Sequence, residues 1–341
     1  MSATSSGSAR PGVGPGREDL HAALALAVRA PSVHNCQPWR FVLGERVVHV
    51  YLDGSRQVPA TDPYGRDLLI SCGAVLHHLL LALAGQGWGG RVRRFPDPAR
   101  PGLVAAVELT PRPASAAELD LLAAISRRRT DRRRFTSWPV PAELIGEMIE
   151  LAAGHGVTLQ AVTEPGLRWR LSTAIAAAAA QQEADPAYAA ENARWSGRPA
   201  GAADGVPSAN APAPERAPGR MPMRAYADPA LVEHPGRAEP ENAALLLLCT
   251  VTDSPLDWLR AGEVASGVLL TATRDGLATS PLTQPLEVED TRAFVRERVA
   301  ATKTAHPQIL VRIGWAPTDA EELPPTPRRP LADVVATLPR R

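Results

Sequence analysis

Apolar residues recur at helical spacing in some stretches of the chain and form alternating or short continuous runs in others. The first pattern is typical of helices and the second of strands. Helices are predicted over 18–29, 66–84, 115–135, 142–153, 167–195 and 256–275. Strands are predicted over 40–43, 47–51, 103–109, 157–162, 245–251 and 309–315. Because these elements are mixed without strict βαβ alternation, the pattern favours the α+β class.

The two most apolar helices resemble each other at an offset of 189 residues. Five positions of the first helix and its end match the second: Gly73, Val75, Leu80, Leu81 and Gly87 fall on Gly262, Val264, Leu269, Leu270 and Gly276. This indicates an internal repeat. Alanine- and leucine-rich helices also match one another by composition, so the repeat alone leaves both explanations open.

Two segments lack the apolar periodicity of the rest. Residues 1–17 are rich in Ser, Gly and Pro and are predicted to form a disordered tail. Residues 196–240 hold much of the proline, and so long a connection is predicted to be disordered or to form a functional lid. The remaining pattern divides into a first lobe over 18–112, a second over 113–317 that contains this insert, and a C-terminal extension over 318–341.

Composition excludes several functional classes. The chain has 341 residues, 45% of them hydrophobic, which is enough for a sizeable core. The formal charge is +1, too small for a protein that binds nucleic acid by neutralising many phosphates. Lys303 is the only lysine, so chemistry through a lysine Schiff base is nearly excluded, and the other basic residues are arginines suited to phosphate binding.

Cysteine usage and hydropathy indicate a protein of a reducing compartment. Cys36, Cys72 and Cys249 form no CxxC motif, which argues against a disulfide framework and a structural zinc site. The N-terminus carries no apolar signal core, and the longest apolar stretch, 68–84, is too short to span a bilayer. We therefore expect a cytoplasmic protein without a membrane anchor.

An arginine cluster is the first candidate for chemistry. The segment RRRTDRRR occupies 127–134, at the end of a predicted helix. Guanidinium groups together with the Thr130 hydroxyl could clamp a phosphate. The alternative is a solvated basic helix end, where cations also suit the negative end of the helix dipole. Composition alone favours the second interpretation.

The second candidate is the polar loop over 31–41, which lies between a helix and a strand. Its hydrogen-bonding side chains, set between two prolines, could bind a planar heterocycle. Ser32, His34 and Cys36 could suggest a nucleophile with its base, yet no third group is marked and residues two apart on a loop rarely face each other. A metal site of His34 and Cys36 with His77 and His78 is disfavoured because adjacent helical histidines point to different faces.

The third candidate is the segment 276–284, directly after the second apolar helix. Backbone amides of a turn there could hydrogen-bond the edge of a cofactor ring, and the alternative is an ordinary helix stop. Neither of the glycine-rich segments GVGPG and GQGWGG both follows a strand and begins a helix. A Rossmann dinucleotide fingerprint is therefore unsupported.

Together these segments resemble the nitroreductase superfamily, and more narrowly its Acg-type branch of fused, single-chain flavoproteins. The resemblance covers about residues 20–335 and excludes the tail and the proline-rich insert. The motifs that carry it are APSVHNCQPWRF at 30–41, TDPYGRDLLISCGAVLHHL at 61–79, RRTDRRRF at 128–135, GLATSPLTQ at 276–284, HPQILVRIGWAP at 306–317 and PPTPRRPL at 324–331.

The resemblance implies two fused half-domains, each a mixed, mainly antiparallel sheet flanked by helices, with one FMN site between them. The chain would then be a monomer with an internal pseudo-dimer, or a homodimer. The FMN phosphate would be held by Arg128, Arg129, Thr130 and Arg132, with Arg328 or Arg329 closing over it. The isoalloxazine would meet Pro31, Ser32 and Asn35 on one side and Pro281, Leu282, Thr283 and Gln284 on the other, with a main-chain amide near Thr283 or Gln284 aimed at N5.

The activity implied by the resemblance is reduction of small nitro compounds or quinones by NAD(P)H, in a ping-pong cycle carried by the flavin without a catalytic side chain. The insert, with Met221, Met223 and Tyr226, could instead close the slot and leave a flavin-sequestering protein with little turnover. A biosynthetic FMN-dependent dehydrogenase or oxidase is the third possibility. All three require only a small-molecule substrate, with neither nucleic acid nor membrane as partner.

Overall fold

The computed structural model describes residues 14–214, 221–232, 241–318 and 321–337. The tail predicted over 1–17 lies outside the described residues up to residue 13, and the first helix begins at Arg17. The helices are α1 Arg17–Ala27, α2 Arg66–Gly85, α3 Ala116–Arg127, α4 Ala142–Gly154, α5 Pro165–Ala184, α6 Pro186–Trp195, α7 Pro255–Arg274, α8 Gln284–Glu287, α9 Glu289–Arg298 and α10 Leu331–Val334. The strands are β1 Trp39–Leu43, β2 Val47–Leu52, β3 Trp88–Arg94, β4 Leu103–Pro111, β5 Thr158–Ala161, β6 Ala244–Thr250, β7 Ala278–Leu282, β8 His306–Gly314 and β9 Val335–Thr337.

Two sheets of the same internal order form the frame of the molecule. The first has the strand order β3-β4-β2-β1-β9 and the second β7-β8-β6-β5. The two lobes are built in the same chain order: two antiparallel strands, a long helix, and two further antiparallel strands of the same sheet. The long helix is α2 in the first lobe and α7 in the second. The helices lie between and beside the sheets, so the predicted α+β fold with two related lobes is confirmed.

The two lobes meet where α2 crosses α7. The helices pack closely at Gly73 and Gly262, which share one position in the sequence repeat. A Cβ built on Gly73 would lie 2.0 Å from the carbonyl oxygen of Leu259. A Cβ on Gly262 would lie 1.9 Å from the carbonyl oxygen of Ile70, the residue equivalent to Leu259. Reciprocal contacts between equivalent residues are what a twofold axis produces. The repeat is therefore structural, with a pseudo-twofold axis at the crossing.

The C-terminal segment returns to the first lobe. Strand β9 pairs in parallel with β1, with Phe41 opposite Val335. Residues 321–337 therefore complete the edge of the first sheet after the chain has built the second. This strand is too short to give a periodic signal in the sequence.

Several helix and strand predictions were wrong in their extent. Helix α3 ends at Arg127 instead of covering the arginine cluster, whose segment is extended and bonded to β7 through Asp131 N and Thr279 O at 2.8 Å. The helix predicted over 167–195 is two helices, because Pro186 disfavours a helical conformation at Asp185, which caps α6 instead. The segment predicted as a turn over 276–284 contains strand β7, in which Thr279 and Ser280 are buried. Strands β3 and β9 and helices α8, α9 and α10 were not predicted.

The insert belongs to one hairpin of the second lobe. In the first lobe β1 and β2 are joined by residues 44–46, whereas the equivalent strands β5 and β6 are joined by residues 162–243. This connection contains α5, α6 and the described parts of the proline-rich segment. Helix α5 packs on α8 and α9, so the added chain is anchored to the second lobe.

Contrary to the expectation for residues 68–84, helix α2 is long and apolar enough to span a membrane, because it extends to 20 residues; 83% of its most apolar window is nevertheless buried inside the protein. Such burial is typical of a core helix. It packs against α1, α3 and α7.

The helix crossing predicts an asymmetric response to glycine substitution. Gly262→Ala should lower the free energy of unfolding by about 3 kcal/mol, because the added methyl group meets main-chain atoms of Ile70 that cannot move aside. The control is Gly146→Ala in α4, where a Cβ has nothing within 4 Å and alanine should stabilise the helix by roughly 0.5–1 kcal/mol. Urea unfolding of both variants checks this; equal effects would contradict the close crossing.

Candidate active site

A cavity of about 1000 Å³, including the part open to solvent, lies at the junction of the two lobes. Its base is formed by α2 and α7 beside their crossing, and its sides by the polar loop of the first lobe and by β7 with the residues after it. The predicted site residues that line it are Pro31, Ser32, Thr130, Arg132, Pro281, Leu282, Thr283 and Gln284. Asn35, Arg128, Arg129, Arg328 and Arg329 lie outside this lining.

The polar loop is held in a strained conformation. His34, Asn35 and Gln37 have φ values of 46°, 52° and 53°, in the left-handed region that non-glycine residues seldom occupy. The loop is fixed by Gln37 N donating to Ser32 Oγ at 3.0 Å, and by Val33 N donating to Ser71 Oγ of α2 at 3.1 Å. Strain of this kind persists where the surroundings over-determine it, often at functional sites.

The Asn35 side chain lies outside the cavity lining and links the polar loop to two other segments of the chain. Its amide Nδ2 donates to the carbonyl oxygens of Gly205 at 3.0 Å and Pro327 at 3.3 Å. One of these partners belongs to the insert and the other to the C-terminal segment. Asn35 thereby connects the polar loop of the first lobe to both the insert and the C-terminal segment.

His34 is a buried imidazole on the cavity wall. Neither ring nitrogen has a hydrogen-bond partner among the described residues. Burial, and then the nearby Arg224 guanidinium, lower the pKa of His34 to about 3. The ring is therefore neutral at physiological pH, with one donor and one acceptor available to a ligand.

The segment that follows α3 runs along β7. Thr130 forms an isolated parallel bridge with Thr279, and Asp131 N donates to Thr279 O at 2.8 Å. Thr279 Oγ1 donates in turn to Arg129 O at 3.3 Å. This pairing brings the arginine cluster of the sequence to the edge of the cavity.

Beside Thr130 lies a buried group of arginines. Arg128 is buried, and its Nε and Nη1 have no hydrogen-bond partner within the described part of the chain. Burial and the neighbouring Arg129, Arg29 and Arg132 lower the pKa of Arg128 to about 10. An unpaired buried guanidinium next to other cations is costly, so the protein has a charge that an anion would compensate.

Arg328 belongs to the same group and comes from the C-terminal segment. Its guanidinium donates to the carbonyl oxygens of Val28, Arg29 and Ala30 at 3.0–3.1 Å. Burial and then Arg128 lower the pKa of Arg328 to about 9. Arg328 therefore ties the C-terminal segment to the residues just after α1, with the Arg128 guanidinium of the second lobe nearby.

The other predicted arginines have different partners. Arg129 donates to Leu323 O and Ser126 O, at 3.3 and 2.8 Å. Arg132 lines the cavity, but its Nε donates to Tyr226 Oη at 2.9 Å and its Nη1 to Asn210 O at 3.2 Å. Arg329 lies near the outer side of the polar loop, where its Nη1 is 3.6 Å from Asp53 Oδ2.

The insert covers the cavity. Met223, Arg224 and Tyr226 line it, whereas Met221 packs on the core of the second lobe. Arg224 forms a buried ion pair with Glu287 at the end of α8, and Glu287 also accepts from Thr283 Oγ1 at 2.6 Å and Gln182 Nε2 at 2.8 Å. Despite burial, Arg224 and Thr283 hold the pKa of Glu287 below its ordinary value. This pair fixes the insert to the second lobe.

Sequence reasoning missed three of these residues: Asp67, Arg224 and Glu287. Asp67 lines the cavity in the first turn of α2 and is almost fully buried. Each is an ordinary charged residue in its local pattern. Their importance comes from burial beside residues far away in the chain, for which the sequence carried no local signal.

Comparison with known proteins agrees with this architecture. The chain is 44% identical, over 94% of its length and 92% of the relative's, to a Mycobacterium tuberculosis H37Rv protein named as an NAD(P)H nitroreductase. It is 33% identical, over 92% of its length and 94% of the relative's, to the M. tuberculosis nitroreductase named acg. The chain belongs to the nitroreductase family. No family model matches it.

The nitroreductase fold is also found among solved structures. A nitroreductase crystal structure from Anabaena variabilis covers 87% of the chain, and 88% of that protein, with a TM-score of 0.51 and 10% identity. At that identity the likeness concerns the fold alone. It extends over both lobes, so the neighbour shares the two-lobed form of this nitroreductase.

The buried ion pair of this nitroreductase predicts a large stability effect. Glu287→Gln should lower the free energy of unfolding by about 3–5 kcal/mol, because Arg224 loses its charged partner while remaining buried. The matched control is Glu118→Gln, whose pair with Arg112 is exposed and should contribute less than about 1 kcal/mol. Denaturant unfolding and proteolysis of the insert measure both. A small effect of Glu287→Gln would show that the pair does not hold the insert.

Proposed function

We propose that this nitroreductase is an FMN-dependent oxidoreductase that reduces small electron-poor compounds, nitro compounds or quinones, with NAD(P)H in a ping-pong cycle. The observation that supports it most is the cavity between the lobes with the uncompensated Arg128 guanidinium beside it. A mainly apolar cavity with cations beside it suits a ring system that carries a phosphate. The names of the M. tuberculosis relatives support the same activity.

The residues present fit FMN. In the proposal Arg128, Arg129 and Thr130 hold the phosphate with Arg328, since Arg128 has unused donors and an excess of positive charge surrounds it. Pro31 and Ser32 of the first lobe and 281–284 of the second bound the ring system. Arg132, Arg328 and Arg329 would contribute only by exchanging their present partners, and Asn35 would act by fixing the loop.

When bound, FMN would supply the hydride chemistry, accepting from NAD(P)H and donating to the second substrate. The protein's own contribution is position and environment. The strained polar loop fixes one wall, the α2–α7 crossing gives a rigid base, and the insert limits access of water from above.

A second function is favoured by the insert itself. Because Met223, Arg224 and Tyr226 line the cavity and Arg224 is fixed by Glu287, the space above the slot is restricted. A flavin-sequestering protein with little turnover would use the same cavity. A biosynthetic dehydrogenase or oxidase would also share it and would turn over with oxygen without NAD(P)H.

The oligomeric state and the compartment form part of the proposal. Both lobes that line the cavity belong to one chain, so a monomer contains the whole candidate site. Cys36, Cys72 and Cys249 are unpaired and buried, which suits a reducing compartment such as the cytoplasm.

Anaerobic mixing with NADPH and NADH distinguishes the reductase from the flavin-sequestering protein. A reductase should lose its oxidised flavin absorption within seconds, on the order of ordinary enzyme turnover, because the nicotinamide can reach the slot. Addition of a quinone should then restore the absorption. A flavin that stays oxidised would contradict the reductase and support sequestration.

The phosphate assignment predicts a loss of FMN without a loss of fold. Arg128→Met should release FMN on gel filtration, because the phosphate loses a buried guanidinium. Thermal stability of the cofactor-free protein should stay equal or rise, since an uncompensated buried charge is removed. The control Arg127→Met changes the exposed last residue of α3 and should keep FMN. An unchanged flavin-to-protein ratio in Arg128→Met would overturn the assignment.

A further inference from the structure

Asp67 is an acidic group of the cavity that the proposed function leaves unused. The carboxyl group is 1% exposed and lies in the cavity lining. Its Oδ1 is 2.7 Å from Arg66 Nη2, yet neither carboxyl oxygen has a partner in hydrogen-bond geometry among the residues described. Arg66 instead directs its hydrogen bonds to the carbonyl oxygens of Gln308 and Leu286. Oδ1 therefore lies against the Arg66 guanidinium, whereas Oδ2 has no partner within the described residues and can contact a ligand.

The surroundings of Asp67 favour its protonated form. Two cations and two anions act on it: Arg66 on its own helix, Arg224 of the insert, Asp62 before α2 and Glu287 of α8. These charges oppose one another, and burial is the largest influence. Together they raise the pKa of Asp67 to about 8, so the group carries a proton at neutral pH.

The other titratable side chains of the described lining are less suited to give a proton. His34, with a pKa of about 3, is neutral at physiological pH, and the N–H it keeps can donate a hydrogen bond but is a very weak acid. Arg132 and Arg224 are already engaged as donors, to Tyr226 and Asn210 and to Glu287 respectively. The Tyr226 hydroxyl oxygen already accepts from Arg132 Nε.

We propose that Asp67 is the residue that donates a proton to the reducible substrate in this cavity. The inference rests on the proposed function, which supplies the hydride from NAD(P)H. A quinone takes up one hydride and one proton, forming two O–H bonds and a hydroquinone, while NAD(P)H becomes NAD(P)⁺. A nitro group takes up the same pair and loses one oxygen as water, leaving a nitroso compound. The Asp67 carboxylate then regains its proton from solvent.

The first test compares acceptors that differ in their need for a proton. The Asp67→Asn holoprotein, reduced with NADPH, should be reoxidised by 1,4-benzoquinone about 100-fold more slowly than wild type, the ordinary contribution of a general acid. Reoxidation by ferricyanide, which takes electrons without protons, should stay at the wild-type rate. Equal rates with benzoquinone would overturn the proposal. A loss confined to Tyr226→Phe would assign the proton to the phenol and overturn it as well.

The second test needs no turnover. Infrared spectra of the cofactor-free protein at neutral pH should show a protonated carboxyl band that Asp67→Asn lacks and that fades with a midpoint near the pKa of about 8. Identical spectra of the two proteins would contradict a protonated Asp67. A wild-type protein that NAD(P)H does not reduce would contradict the proposed function, whereas a reducible flavin with fast quinone reoxidation in Asp67→Asn would contradict the role of Asp67 alone.

Discussion

The close crossing of α2 and α7 is the constraint on which the rest of the structure depends. Gly73 and Gly262 let the two main chains touch, and His77 Nδ1 lies 2.9 Å from Ser266 Oγ one turn further along the same pair of faces. Each sheet is fixed to its own helix, so this contact sets the distance and angle between the lobes. The cavity is the space that remains beside the crossing, and its width follows from how closely the helices meet.

Charge is distributed unevenly around that space. At one end the buried Arg128 lies near Arg328 and both have lowered pKa values, and at the other Arg224 is balanced by Glu287. The first group is destabilising until an anion arrives, whereas the second is already satisfied within the protein. Binding energy from an anionic cofactor can therefore be recovered as stability of the fold, since a ligand that binds only the native state stabilises it.

The sequence was informative where a function has a local pattern. The polar loop over 31–41 and the arginine segment over 127–134 were singled out because their residue types are unusual side by side, and only the family resemblance gave them a proposed role; the repeat was visible because glycine is required at the crossing in both halves. Asp67 and Glu287 could not be found in this way, since their protonation depends on neighbours from other elements. The predicted extent of α3 was wrong for a related reason. Pairing of the segment after Arg127 with β7 outweighs the helical preference of its arginines.

The long connection between β5 and β6 is present in only one of the two related lobes, so the lobes can differ in sequence and structure. In an assembly of two identical chains, any added segment appears twice and must be tolerated at both symmetry-related places. Here the equivalent hairpin of the first lobe keeps its short link at 44–46, and its edge strand β1 is free to pair with β9. When both lobes belong to one chain, symmetry no longer requires the two equivalent hairpins to be the same. The connection in the second lobe can therefore cover a ligand, while β1 of the first lobe pairs with the C-terminal strand β9.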